Sequence, residues 1–453
     1  MKKSLILIAF ACAFVTANAQ TNENSDVRYD QYGKIVERVP LQAENRNGVL
    51  VMESKDQDYK LWYDIRVQTD GQFFFNDDLN PIGNGFTVRR ARFAVKAQVT
   101  KNWYGEIDLN VSNGALELED AIIQYNFLNG LNMRVGNFKE QFSMAQTSSS
   151  RYLNFMERSM AVAAFAPSRH LGWDATYEGK FFLAAGGIFF QEIKDLEVLT
   201  YVEDNNKDYG RDQGYSLTGK FVLQPFGENT NYGLHAAYGF SYRTPKTDIA
   251  PGEYGTVRYS TRSLSSINRK KFLDTDLIAG YDHQTLSNIE IAGFYKGLGL
   301  QSEILNNKTF RNNGLDPLNF GGFYVQGTYM LFGGSQVYDK AQGEFNQPNR
   351  GKKWGDVELA LRYDYINMNN LDVKGGSAEG YTIGLNFYAT RNFKMQINYN
   401  YLNHDRYASG KGKLFVGHDI SGALTRDPAK VVETNGKAGN DYSAIGIRCE
   451  IDF

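Results

Sequence analysis

Apolar and polar residues alternate with a period of two over most of this chain. From residue 61 to 75, Leu61, Tyr63, Ile65, Val67, Phe73 and Phe75 hold odd positions, while Asp64, Arg66, Gln68 and Gln72 hold even ones. That is the period of a β-strand with two unlike faces. Residues 86–99 repeat it, with Ala91, Phe93, Val95, Ala97 and Val99 opposing Arg90, Arg92, Lys96 and Gln98. Further strands are expected at 103–111, 120–127, 131–135, 171–178, 181–191, 214–223, 232–242, 272–283, 289–303, 320–332, 355–366, 380–389, 393–402 and 441–453. About sixteen strands with no competing helical periodicity predict an all-β protein.

Sheets of this size must hide their edges, and a sheet in hydrocarbon must close on itself. The predicted architecture is therefore a 16-stranded antiparallel transmembrane β-barrel with inward-folded constriction loops. Alternate connections are brief (100–101, 128–130, 179–180, 225–230, 285–287, 390–392), and the others include the long ones (192–213, 244–271, 403–440). Short periplasmic turns and long outer loops produce this rhythm. Only 333–354 breaks it. The stretch 139–172, KEQFSMAQTSSSRYLNFMERSMAVAAFAPSRHLG, is long for a connection and carries its own apolar cluster. It is expected to fold into the barrel and narrow it.

The ends set the compartment. Lys2 and Lys3 precede an apolar run that closes on Ala17-Asn18-Ala19, the form of a secretory leader cut after Ala19. Expected divisions are a leader at 1–19, a polar periplasmic extension at 20–59 and a barrel at 60–453. No other stretch is long and apolar enough for a membrane helix, but low mean hydropathy is no objection to a barrel, where only alternate residues face lipid. Removing Lys2 and Lys3 with the leader leaves 47 basic against 51 acidic residues, which argues against nucleic acid as a partner. Cys449 is then the one remaining cysteine, which excludes disulfide frameworks and thiol metal clusters.

Candidate chemistry lies on the polar faces. Alternation directs Arg90, Arg92, Lys96, Arg134 and Arg362 into the lumen, and Lys139, Arg151, Arg158 and Arg169 are the cations of the long loop. Cationic linings favour anions, and arginine supplies planar donors for carboxylate or phosphate oxygens. The competing reading is that these cations pair with neighbouring acids such as Glu106, Asp108 and Asp120 and stiffen the wall; Glu140 and Glu157 are candidates to pair with loop cations. Arg89 falls on the opposite face and is expected among lipid headgroups. If 258–262 is extended, Arg258, Ser260 and Arg262 share one side. His170, His235, His283, His404 and His418 are the histidines, and none is spaced with a serine and an acid as a hydrolase requires. A secreted carbohydrate binder is the remaining alternative, but the tyrosines and tryptophans fall at strand ends and on the apolar face, as interface girdles do.

Residues 88–110 (VRRARFAVKAQVTKNWYGEIDLN), 118–127, 134–172 (RVGNFKEQFS, FMER, AFAPSRHLG), 354–368 and 380–402 resemble the phosphate-selective porin O and P family. The resemblance implies a homotrimeric outer-membrane porin of a Gram-negative bacterium without cofactors, passing small anions such as phosphate or polyphosphate. It also implies constriction by the third and fifth outer loops and by a long periplasmic turn, here 139–168, 244–271 and 333–354. Arg258 and Arg262 align with the family's arginine ladder, with Ser260 in place of a rung. A general, non-selective porin is the alternative within the same fold.

Overall fold

The structure is a computed structural model that describes residues 28–453, except 38, 47, 76–81, 113, 115, 128–129, 194–213, 228, 246–254, 268–269, 409–416, 426 and 434–440. The leader expected at 1–19 lies outside the described residues. Among the described residues, 28–41 belong to a unit of their own, in which Arg28–Tyr29 pairs with Ile35–Val36.

Sixteen strands close the barrel: β1 (Tyr59–Phe75), β2 (Gly85–Val99), β3 (Trp103–Asn110), β4 (Glu117–Asn126), β5 (Leu131–Lys139), β6 (Arg169–Glu178), β7 (Phe182–Phe189), β8 (Ser216–Leu223), β9 (Tyr232–Arg243), β10 (Tyr281–Tyr295), β11 (Leu298–Arg311), β12 (Leu318–Met330), β13 (Asp356–Asn370), β14 (Val373–Tyr388), β15 (Phe393–His404) and β16 (Tyr442–Asp452). Each pairs antiparallel with its neighbours in sequence, and β16 closes on β1 from Ser443↔Phe75 to Asp452↔Arg66. The strand-like 49–54 joins the sheet, with Val51 opposite Trp62 and Glu53 opposite Lys60.

The strands expected at 272–283 and 289–303 are replaced by β10 and β11. Gly280 has a positive φ of 72° just before β10, and the reversal falls at Lys296-Gly297, where Lys296 has a φ of 50°. The presumed turn at 285–287 is mid-strand. Leu286 faces inward and is buried, while Ile289 and Ile291 face outward and are exposed.

Burial runs opposite to that of a soluble protein. Phe86, Ile107, Ile123, Ile291, Val325 and Leu361 are each at least half exposed, whereas Arg448, Asp70, Glu303 and Glu358 are fully buried. Apolar residues outside and charges inside is the inversion a lipid environment selects.

The apolar core lies within the barrel. The loop between β5 and β6 carries two short helices, α1 (Met144–Thr147) and α2 (Met160–Phe165). Its Phe142, Met160, Val162 and Phe165 pack with Tyr259, Phe272 and Leu273 of the loop between β9 and β10, and with wall residues Leu305, Phe320, Ile366 and Tyr442. Each such side chain withdrawn from water is worth roughly 1.5–3 kcal/mol. Glycines in the wall admit the loop. A Cβ at Gly239 would stand 2.4 Å from the Phe142 carbonyl oxygen, and one at Gly322 would stand 2.8 Å from the Ala161 Cβ. The loop's apolar side is thus committed to β9–β16. Its polar side faces β1–β6.

Candidate functional site

Two cavities of about 370 and 320 Å³ lie between the polar side of the loop and the β1–β6 wall. β2 runs from an outer loop down to a periplasmic turn, so the cavity reaching Thr87 and Arg89 is the outer one and that reaching Lys96 and Glu106 the inner. Arg92, Lys139, Ser150 and Arg169 line both. The two cavities adjoin at these shared residues, which mark a polar path along the wall.

The outer cavity is lined by seven cations (Arg89, Arg90, Arg92, Lys139, Arg158, Arg169, Arg262) against two carboxylates, Glu117 and Glu119. The inner one also has seven (Arg66, Arg92, Lys96, Arg134, Lys139, Arg151, Arg169), but against five acids: Asp64, Glu106, Asp108, Asp120 and Glu344. The lining thus carries net positive charge in both cavities, and less of it toward the periplasm.

Most of these cations are tied to acids. Arg134 holds Asp174 through Nε–Oδ1 at 2.9 Å and Nη2–Oδ2 at 2.5 Å, and its guanidinium lies 4.5 Å from the Phe138 ring centroid. Arg169 grips Asp120 at 2.8 and 2.7 Å. Lys96 lies 3.2 Å from both Asp64 and Glu106, Arg92 bonds Asp108 and Glu119, and Arg151 pairs with Asp64 and lies 3.4 Å from Asp452.

Four others are held without carboxylates. Lys139 Nζ donates to the Thr147 and Ser148 carbonyls at 2.9 and 3.0 Å. Arg158 donates to the Ala145 and Ser148 carbonyls at 2.5 and 2.9 Å. Arg66 donates to Ser150 Oγ at 2.8 Å, and Arg90 to Gln68 Oε1 at 2.7 Å. Among the described residues no carboxylate oxygen comes within 4 Å of any of the four. Neutral acceptors fix where these side chains sit. Burial, with Arg169, Arg89 and Arg92 nearby, lowers the Arg158 guanidinium to about 10, still fully charged at neutral pH.

The loop geometry follows from its caps. Ser143 caps α1 with its own hydroxyl, and the same N-terminus rests on buried wall carboxylates: Glu290 accepts from Met144 N at 2.8 Å, and Glu303 from Ala145 N at 2.7 Å and Ser143 Oγ at 2.6 Å. Ser159 caps α2, with Asp364 accepting from Met160 N at 3.1 Å. Both helix starts face acids in the wall. The carbonyl end of α1 faces the passage, where Lys139 and Arg158 meet it.

Several expected placements change. Arg89 is inside: opposite β1, Gln68 pairs with Arg90 and Thr69 with Val88, so Arg89 is the extra residue of a β-bulge. The bulge turns Arg89 and Arg90 inward together, and Arg89 bonds Glu157 of the loop rather than lipid headgroups. A second bulge does the same for Glu119 beside Asp120. Arg362 is behind the loop, not on the passage: it donates to the Glu157 carbonyl at 2.9 Å, pairs with Asp364 at 2.6 Å and stacks 4.5 Å from the Phe155 ring centroid. Arg258 and Arg262 are separated. Their shared face exists, since Tyr259, Thr261 and Ser263 are buried between half-buried neighbours, but Arg258 is bound to Asp274 at 2.7 Å and borders a different cavity with Arg243 and His170, whereas Arg262 reaches the outer cavity. Glu140 pairs with Arg243 at 2.8 Å and Glu157 with Arg89, both of them arginines of the wall. Arg66 was legible as an inward position but not singled out; Glu290 and Glu303 carried no signal beyond alternation.

Comparison with known proteins agrees with this architecture. The chain is 25% identical over 328 residues to an uncharacterized protein of Caulobacter vibrioides, covering 71% of this chain and 64% of that protein, so it spans just under two thirds of that relative. It is 22% identical over 413 residues to Porin O of Pseudomonas aeruginosa, covering 84% and 90% of the two chains. A loop L8 deletion mutant of OmpT, an outer membrane protein of Vibrio cholerae, superposes with a TM-score of 0.50 at 11% identity, over 87% of this chain and 100% of that one. The profile of the family Phosphate-selective porin O and P matches residues 62–420, and with its closed sixteen-strand barrel and inward loop this chain belongs to that family of outer-membrane porins.

Proposed function

We propose that the protein is a passive channel for small anions, with phosphate among its solutes, and that it works as a homotrimer in the outer membrane. The observation that carries the reading is the set of four passage cations, Arg66, Arg90, Lys139 and Arg158, positioned by carbonyls, a hydroxyl and an amide instead of acids. An anion entering from outside meets Arg89, Arg90, Arg158 and Arg262 first. It then passes between Arg92, Lys139 and Arg169, where Ser150 adds a hydroxyl, and leaves past Arg66, Arg134 and Arg151. Fixed donors replace part of its hydration shell, and successive cations offer several moderate sites in place of one deep trap. No bond is made or broken. The site needs no cofactor.

The five inner carboxylates favour a second reading, a weakly selective general porin. Reversal potentials in a planar bilayer under a KCl gradient, followed by phosphate titration of the current, separate the two. Anion preference with block at low phosphate supports the first reading, and weak preference without block supports the second. Cation preference would sink the anion channel.

A further inference from the structure

The periplasmic connection between β12 and β13 contains a hairpin, Ser335–Asp339 with Glu344–Asn349, that lies against the inner wall. Tyr338 Oη meets His235 Nδ1 at 2.7 Å and accepts from Gln224 Nε2 at 3.0 Å, Lys340 lies 3.3 Å from Glu178, and Gln336 Nε2 donates to Glu358 at 3.0 Å. So fastened, the hairpin tip delivers Gln342 and Glu344 to the inner cavity that Lys139 also lines.

Glu344 differs from the other acids there. Asp64, Glu106, Asp108 and Asp120 each lie within 3.4 Å of a cation. Among the described residues none comes within 4 Å of Glu344. It lines the inner cavity together with Lys139 and with Thr147 of α1, the residue whose carbonyl holds Lys139. An acid without a cation at bonding distance and a cation without a carboxylate at bonding distance thus line one cavity.

We propose that Glu344 is a specificity-determining residue of the channel, a counter-charge that offsets Lys139 when ionised and leaves its field to the solute when protonated. The inference rests on the reading of the passage as an anion path. Facing Glu344 are Lys139 from β5, Lys220 from β8 and Asp339 from its own hairpin; Tyr338 lies beside it, and behind Lys220 stands Glu290, 2.8 Å from Lys220 Nζ and 2.9 Å from His235 Nε2. Burial holds the Glu344 carboxyl above the ordinary carboxylate range against the pull of Lys139 and Lys220. Its proton exchange therefore falls nearer neutrality than an exposed glutamate's, and anion preference weakens as pH rises.

Reversal potentials of the full-length channel in planar bilayers, under a KCl gradient, test this at about pH 5 and pH 8. The wild-type chloride-to-potassium permeability ratio should be about threefold higher at the lower pH, the scale of one unit charge acting at close range through water. E344Q should hold the higher ratio at both. A wild-type ratio that stays constant overturns the proposal, and this measurement stands even where the variant does not insert; so does an E344Q channel with the wild-type pH response. Cation preference in the wild type strikes the anion path itself, whereas anion preference without dependence on Glu344 strikes only this inference.

Discussion

Nε and Nη2 of Arg89 grip the two carboxylate oxygens of Glu157 at 3.0 and 3.3 Å, tying wall to loop across 68 positions of sequence. Burial alone would push the Glu157 carboxyl up, but Arg89, with Arg448 and Arg90 behind it, holds it at about 2 against an ordinary 4.5. Because the folded value is depressed, the stabilisation is complete above the unfolded value and is lost as pH falls toward the folded one.

That linkage amounts to roughly 3 kcal/mol at neutral pH. Thermal unfolding in detergent should show the wild-type midpoint dropping between about pH 5 and pH 2, with a shallower drop for E157Q. Equal slopes for the two proteins would mean that the pair does not hold the loop.

Cations positioned by neutral groups should matter more for selectivity than cations outside the passage. K139Q and R158Q each remove one unpaired charge and should lower the anion-to-cation permeability ratio by about threefold. R258Q, whose guanidinium is bound to Asp274 in another cavity, should leave the ratio unchanged. Reversal potentials of the three variants decide, and equal losses in all three would mean that the passage has been misplaced.

The start of α1 depends on the wall. Removing the Glu303 carboxylate in E303A leaves Ser143 Oγ, Ala145 N and Tyr324 Oη without their acceptor, at a cost of about 1–3 kcal/mol for each buried group left unmet. Unit conductance and current noise should both rise as the loop loosens, and protease should cut within 140–168 more readily than in the wild type. A quiet channel of unchanged conductance would show that the apolar contacts suffice.

Strand alternation made the barrel legible because lipid and lumen impose opposite polarity on neighbouring residues, as Phe93 and Arg92 show. The same rule misplaced Arg89 and said nothing of Glu119 beside Asp120, since a bulge adds one residue and resets the alternation with no mark in the sequence. The break assigned at 285–287 failed for a related reason: inside a partly filled barrel an inward leucine such as Leu286 is ordinary, because the inward loops supply it with an apolar environment. Which cations stay unpaired was not legible either. Lys139 and Arg169 oppose each other at the mouth of one loop, yet one finds carbonyls and the other Asp120, a difference settled by where α1 ends.

Apart from Arg262, Ser266, Gln342 and Glu344, every residue lining the two cavities falls between positions 64 and 169. Selectivity and scaffold therefore occupy different stretches of one gene product. Substitutions in the first third of the barrel can retune the solute while the later strands keep the loop seated, so relatives with unlike solutes are expected to diverge there first.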